Sequence, residues 1–186
     1  MIFQAFLLSE GLDPTQITIV PRADFTTAPL LSGEADGIDG WVTNELVELT
    51  LGGHKVNTLL FSDYGIDLYP NVIFTTEETI AQQPDLVEHV VHALLSGLQS
   101  AIDNPETATQ TTITYNPDLD AEKELIGMQQ SLPLILPAGS HPGTMQPEVW
   151  TSMHQTLLDL GLLKTPLDLE ASYTLQFLPS TIEAGK

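Results

Sequence analysis

The hydrophobic pattern of this chain changes character near residue 75, and that change limits the architectures open to it. Before it, apolar residues come in short runs. Residues 17–20, ended by Pro21, and residues 36–41, 56–61 and 71–76 read as strands. Between these runs lie helix signals. Ile2, Phe3, Phe6 and Leu7 share one helical face, closed by Gly11. A short helix is opened by Thr27 and Pro29 and stopped by Gly33. Residues 43–51 start at Thr43 or Asn44 and stop at Gly52 and Gly53. After residue 75 the pattern is helical. Glu77 and Glu78 open one helix, and residues 84–102 form a long one with Leu86, Val90, Ala93, Leu94, Leu98 and Ile102 on one side. Further helices are predicted from Asn104-Pro105 through Thr114, over 118–131, and over 147–160 with Gly161 as the stop. Strands and helices in alternation predict an α/β layer with a largely parallel sheet for the first part.

At 186 residues and 42% hydrophobic composition, the chain can bury a core as one domain or as two small lobes. Its charge is lopsided: 25 Asp and Glu against five Lys and Arg, a formal net charge of −20. Nucleic acid and anionic membranes both recruit Lys and Arg, so that balance argues against either as a partner. With no Cys there are no disulfides, thiolate nucleophiles or Cys-ligated metals. No apolar run reaches the roughly 18 residues of a membrane span. The apolar start, residues 1–8, has neither a basic leader nor a small-residue cleavage site. A chain that begins inside an amphipathic helix with no cap before it reads as cut at its N-terminus.

Trp41 and Glu45 stand out chemically. Four residues apart at a strand-to-helix junction, they can share one face of the first helical turn. An indole face stacks on a flat heterocycle, and a carboxylate accepts hydrogen bonds from an exocyclic amine or a protonated ring nitrogen. Asn44 is either an amide contact or a helix cap. On the residues alone, a core Trp with a solvated Glu is the favoured reading. His89 and His92 lie three apart beside Glu88, but no third ligand is evident, and no metal site is expected. His141 falls in a turn and His154 in an amphipathic helix, without Ser or Asp partners at diagnostic spacing. Glu77, Glu78, Glu122 and Glu124 read as helix-start and surface charges. No phosphate loop, dinucleotide fingerprint or nucleophile elbow is present.

Several strings fall in a recognisable order: Ala28-Pro29-Leu30-Leu31-Ser32-Gly33, Gly40-Trp41-Val42-Thr43-Asn44-Glu45, residues 61–69, residues 71–76, then Trp150, Gly161-Leu162-Leu163, Pro166, Asp168 and Tyr173-Thr174. Over residues 3 to 178 this series resembles the thiamine-pyrimidine-precursor binding proteins of ABC importers. Their wider group includes nitrate, sulfonate and taurine binders and the eukaryotic pyrimidine synthases. The resemblance implies a type II periplasmic-binding-protein fold, two α/β lobes closing about a hinge, with the N-terminal part missing. Residues 1–70 would be part of the second lobe, 71–76 a hinge-crossing strand, and 77–186 a helical return to the first lobe.

The same resemblance implies a function. The chain would be the extracytoplasmic solute-binding component of an ABC importer, secreted or lipid-anchored, with the permease as its partner. Its ligand would be an aminopyrimidine or a related flat heterocycle, with no cofactor and no catalysis. Trp41, Asn44 and Glu45 would contact the heterocycle, and Tyr64 and Tyr69 would line the cleft. Two alternatives follow from the wider group. One is an anion binder, for which this segment offers only Arg22 near the second-lobe loops. The other is a pyrimidine-biosynthesis enzyme, against which the absence of Cys counts, because those synthases carry a Cys-rich motif.

Overall fold

A computed structural model describes residues 2–22, 24–136 and 141–179. Eight α-helices lie among them: α1 (Ile2–Ser9), α2 (Ala28–Ser32), α3 (Glu45–Leu51), α4 (Glu77–Gln82), α5 (Pro84–Asp103), α6 (Pro105–Tyr115), α7 (Ala121–Ile135) and α8 (Pro147–Asp159). Short 3-10 turns occupy Pro14–Gln16 and Phe61–Tyr64. The chain divides into two compact units, each built from separate stretches of sequence.

The first unit takes its described residues from Met1–Pro21, Asn57–Gln82 and Met145–Phe177. Its core forms where α1 meets the Phe61–Tyr64 turn. Ala5, Phe6, Leu7 and Ile66 are buried, with Phe3, Ile17, Phe61, Tyr64, Leu68 and Leu160 packed around them. Phe6 sits edge-on to Tyr64 at 4.8 Å and tilted to Phe61 at 5.9 Å, within the range where aromatic pairs attract. Gly11, at φ 63, lets the chain leave α1 while the Leu12 N–H returns to the Leu7 carbonyl at 2.8 Å. In the same unit, α8 carries Trp150, stacked parallel on Tyr173 at 4.8 Å. The loop beyond α8 is pinned by the Leu167 N–H donating to His154 Nε2.

The second unit takes its described residues from Arg22–Val56, Gln83–Thr144 and Leu178–Lys186. Two of its helices, α6 and α7, open on side-chain caps. Asn104 Oδ1 accepts the Thr107 N–H at the start of α6, and Asp120 Oδ1 accepts the Glu122 and Lys123 N–H groups at the start of α7. Each satisfies donors that the first helical turn leaves without an intrahelical acceptor. Within the unit α6 packs on α5 and α7, and α3 packs on α7. The α3–α7 contact is close: a Cβ at Gly127 would lie 2.6 Å from the Thr43 carbonyl oxygen. Val47 and Leu49 of α3 and Leu95 of α5 are buried here.

The expected α/β architecture is not what the chain adopts. More than half of the described residues are helical, and none is in a β-strand, so the type II two-lobe fold is overturned. The segments at 17–20, 36–41, 56–60 and 71–76 are free of helix but make no ladder. Apolar runs favour extended backbone. A strand exists only where a neighbour takes up its N–H and C=O groups. Among the described residues no such neighbour lies alongside; Ile17, Ile38 and Val56 are part-buried, but most apolar side chains of these segments stay in solvent, up to 88% exposed at Phe74.

Candidate functional site

The junction ahead of α3 is the most tightly organised polar feature of the second unit. The Trp41 N–H donates to Glu45 Oε2 at 2.8 Å, so the first helical residue reaches back to hold the residue four positions earlier. The Trp41 carbonyl accepts the Asn44 N–H at 3.0 Å. Both sides of Trp41's backbone are therefore fixed, while its side chain faces outward and the residue is 56% exposed. Exposed apolar residues are common in this chain. Trp41 differs in having a backbone tied to a buried carboxylate. Asn44 occupies the cap position of α3, yet its side chain makes no capping hydrogen bond, which leaves the amide available.

Glu45 is buried, only 3% exposed, and its charge is met by Arg22, whose Nη2 lies 3.6 Å from Glu45 Oε1. A buried carboxylate is costly unless paired and hydrogen-bonded, and here both conditions hold. The guanidinium does more than neutralise. Its Nε donates to the Asp24 carbonyl and Nη2 to the Thr26 carbonyl, each at 3.1 Å, and Nη1 donates to the Asp39 carbonyl. Phe25 lies under the guanidinium carbon at 5.5 Å, a distance at which a cation is attracted to a ring face. The Asp24–Thr26 turn is itself braced, because Asp24 Oδ1 accepts the Thr26 hydroxyl at 2.7 Å and its N–H at 3.1 Å. Those bonds, the hydroxyl's foremost, hold the Asp24 carboxyl below its ordinary value. With its donors directed at four groups of the protein, Arg22 presents no open fork to an anion.

Gly40 completes the junction. A Cβ there would lie 3.1 Å from the Cβ, Cδ and Oε2 of Glu45. Beyond Glu45, the next turn of α3 carries Glu48, whose Oε1 accepts the Thr27 hydroxyl at 2.7 Å and whose Oε2 meets Lys123 Nζ of α7 at 3.1 Å. The Thr27 hydroxyl first, then Lys123, hold the Glu48 carboxyl below its ordinary value.

Trp41, Asn44 and Glu45 thus come together in the second unit. Tyr64 and Tyr69 lie in the first. The Tyr64 ring packs on Phe6 in the apolar core. The Tyr69 hydroxyl accepts the Gln146 N–H at 2.7 Å, and its ring lies 6.1 Å from Trp150. Of the two histidines on α5, His92 Nε2 faces Glu88 at 3.9 Å, one helical turn away. Sequence reasoning missed the role of Arg22 and Gly40. The only signal for either was the Gly immediately before Trp41, because a contact from Arg22 to Asp39 or Glu45 spans a separation that periodicity does not encode.

Comparison with known proteins adds to this geometry. Residues 1–108, which include the whole Arg22–Glu45 region, match the family model described as NMT1/THI5 like. The chain is 30% identical over 183 residues to the riboflavin-binding protein RibY of Chloroflexus aurantiacus, covering 94% of this chain and 51% of that protein. It is 21% identical over 179 residues to the formylaminopyrimidine-binding protein of Halalkalibacterium halodurans, covering 93% of this chain and 54% of that protein. The chain therefore spans about half the length of these curated relatives.

Proposed function

This chain belongs to the NMT1/THI5-like family, and from that premise we propose that it serves in a solute-binding protein for a flat nitrogen heterocycle. The observation that carries this reading is the Trp41 junction: an outward-facing indole on a backbone that a buried Glu45 holds in place. The exposed indole face is the stacking surface for the heterocycle. The uncommitted Asn44 amide beside it supplies a donor and an acceptor for the ring's polar edge. Glu45 fixes both by anchoring the start of α3.

Two relatives are named for what they bind, riboflavin in one case and formylaminopyrimidine in the other. Both ligands contain a planar, nitrogen-rich ring system, which suits stacking plus edge recognition. The proposed setting is outside the cytoplasm, with an ABC permease receiving the ligand. Among the described residues no helix is long and apolar enough to cross a membrane.

The test is calorimetric titration of the 186-residue chain with riboflavin and, separately, with formylaminopyrimidine. Saturable binding of one of them, abolished by Trp41→Ala, is the expected result. No heat from either ligand up to about 1 mM, an affinity weaker than roughly −4 kcal/mol, rejects the reading. Unchanged affinity in Trp41→Ala would keep the function but move the site elsewhere.

A further inference from the structure

We infer that Arg22 is the positioning residue of the Trp41 site: it sets where the indole stands without touching the ligand. The inference rests on Trp41 being the stacking surface. Its support is a closed circuit of contacts on both sides of one short segment. On one side the guanidinium donates to the Asp39 carbonyl, two residues before Trp41. On the other it pairs with Glu45 Oε1, while Oε2 of the same carboxylate holds the Trp41 N–H. Residues 39–41 are clamped between two ends of a single ion pair.

The clamp has its own foundation. Arg22 is held by the carbonyls of Asp24 and Thr26 and covered by Phe25, and its side chain is only 15% exposed. Gly40 lies against the Glu45 side chain, which a Cβ there would meet at 3.1 Å and push aside slightly. A guanidinium suits this task because its donors lie in one plane and point in several directions at once, where an ammonium is a point charge on a flexible stem. The prediction is therefore graded. Arg22→Lys keeps the charge beside Glu45 but cannot reach the Asp39, Asp24 and Thr26 carbonyls together. Arg22→Gln also leaves Glu45 buried without its countercharge.

The experiment incorporates 5-fluorotryptophan and follows both indoles by fluorine NMR, with Trp150→Phe assigning the two signals. Trp150 lies in the other unit, stacked on Tyr173, and serves as the internal control. Arg22→Gln is expected to shift or broaden the Trp41 signal while leaving that of Trp150 in place, with Arg22→Lys intermediate. Riboflavin affinity should fall about tenfold in Arg22→Gln and less in Arg22→Lys, because a small displacement of a positioned group is costly.

A Trp41 signal unmoved by Arg22→Gln overturns the inference. If Arg22→Gln disturbs both signals, so that the fold itself has yielded, Arg22→Lys decides: a shift confined to Trp41 supports the clamp, and no shift at Trp41 overturns it. Failure of the unsubstituted chain to bind either riboflavin or formylaminopyrimidine would count against the proposed function, while the fluorine signals would still read the clamp.

Discussion

Both units bury apolar side chains, Val47, Leu49 and Leu95 in the second, but the two segments that matter most are joined by different means. In the first, α1 and the Phe61–Tyr64 turn are joined by apolar contact: Phe6, Leu7 and Ile66 are buried, and aromatic rings close the gaps. In the second, the segment from Arg22 to α3 is joined mainly by directed polar contacts, from Arg22 to Glu45 and Asp39 and from Thr27 and Lys123 to Glu48. Apolar contact is non-directional and tolerates repacking, whereas charge-assisted hydrogen bonds fix angles as well as distances. A site that must present an indole at a set height belongs with the second kind. The core that keeps its unit folded needs only the first.

Substitutions can break or sharpen that contrast, and the largest effect should come from the apolar side. Leu7→Ala removes a side chain that is only 1% exposed and leaves a cavity, a loss of about 2–5 kcal/mol. Thermal melting should show it as a lowered Tm, with the Trp41 environment unchanged below the transition. Next comes Gly127→Ala. Its Cβ would press on the Thr43 carbonyl at 2.6 Å, and overpacking of this sort costs about 1–3 kcal/mol. Denaturant unfolding should register the loss, and ligand affinity should fall with it because Thr43 leads directly into α3.

Gly40→Ala is a gentler probe, since its Cβ meets Glu45 at 3.1 Å. The expected outcome is a stability change below about 1 kcal/mol, within the range of small surface effects, together with a measurable weakening of riboflavin binding in titration. Loss of binding without loss of stability would mark the junction as functional rather than structural.

The smallest effect belongs to Glu48. Its carboxyl is held below the ordinary value of 4.5, chiefly by the Thr27 hydroxyl. The contribution to stability is therefore complete above that ordinary value and is lost as pH falls through the lower folded one. Because the side chain is 44% exposed, solvent screens the pair, and Glu48→Gln should cost roughly 0.2–1 kcal/mol at neutral pH. Melting curves of the variant and the parent should converge on acidification below the ordinary carboxylate value.

Helices were legible in the sequence because their signals are local. The 84–102 periodicity corresponds to α5 (Pro84–Asp103), and Asn104-Pro105 opens α6 through a side-chain cap. Pro133 hides the end of α7, which runs on to Ile135 although Pro has no N–H to donate within a helix. The strands failed for the converse reason. An apolar run such as residues 56–61 specifies which residues are apolar, not which chain lies alongside, and pairing is a non-local property. The site divides along the same line. The spacing of Trp41 and Glu45 put both at one junction, but as two ligand contacts; that a buried Glu45 instead accepts the Trp41 N–H was not legible. Arg22 was read only as the cation an anion binder would use, because Asp39 and Glu45, two of its four partners, are brought to it by the fold. Tyr64 was read as a cleft-lining residue on its place in the chain, and its packing on Phe6 depends on a turn of α1 more than fifty residues away.

The exposed extended segments also have a colloidal consequence. Backbone that is neither helical nor laddered, carrying Ile19, Val20, Leu59, Ile73 and Phe74 into solvent, is a template for pairing with another copy. A net charge of −20 opposes that encounter by mutual repulsion. Added salt shortens the reach of that repulsion, from about 30 Å at 0.01 M to about 3 Å at 1 M. Solubility of the chain is thus expected to fall as salt is added, because its own charge keeps the unladdered segments apart.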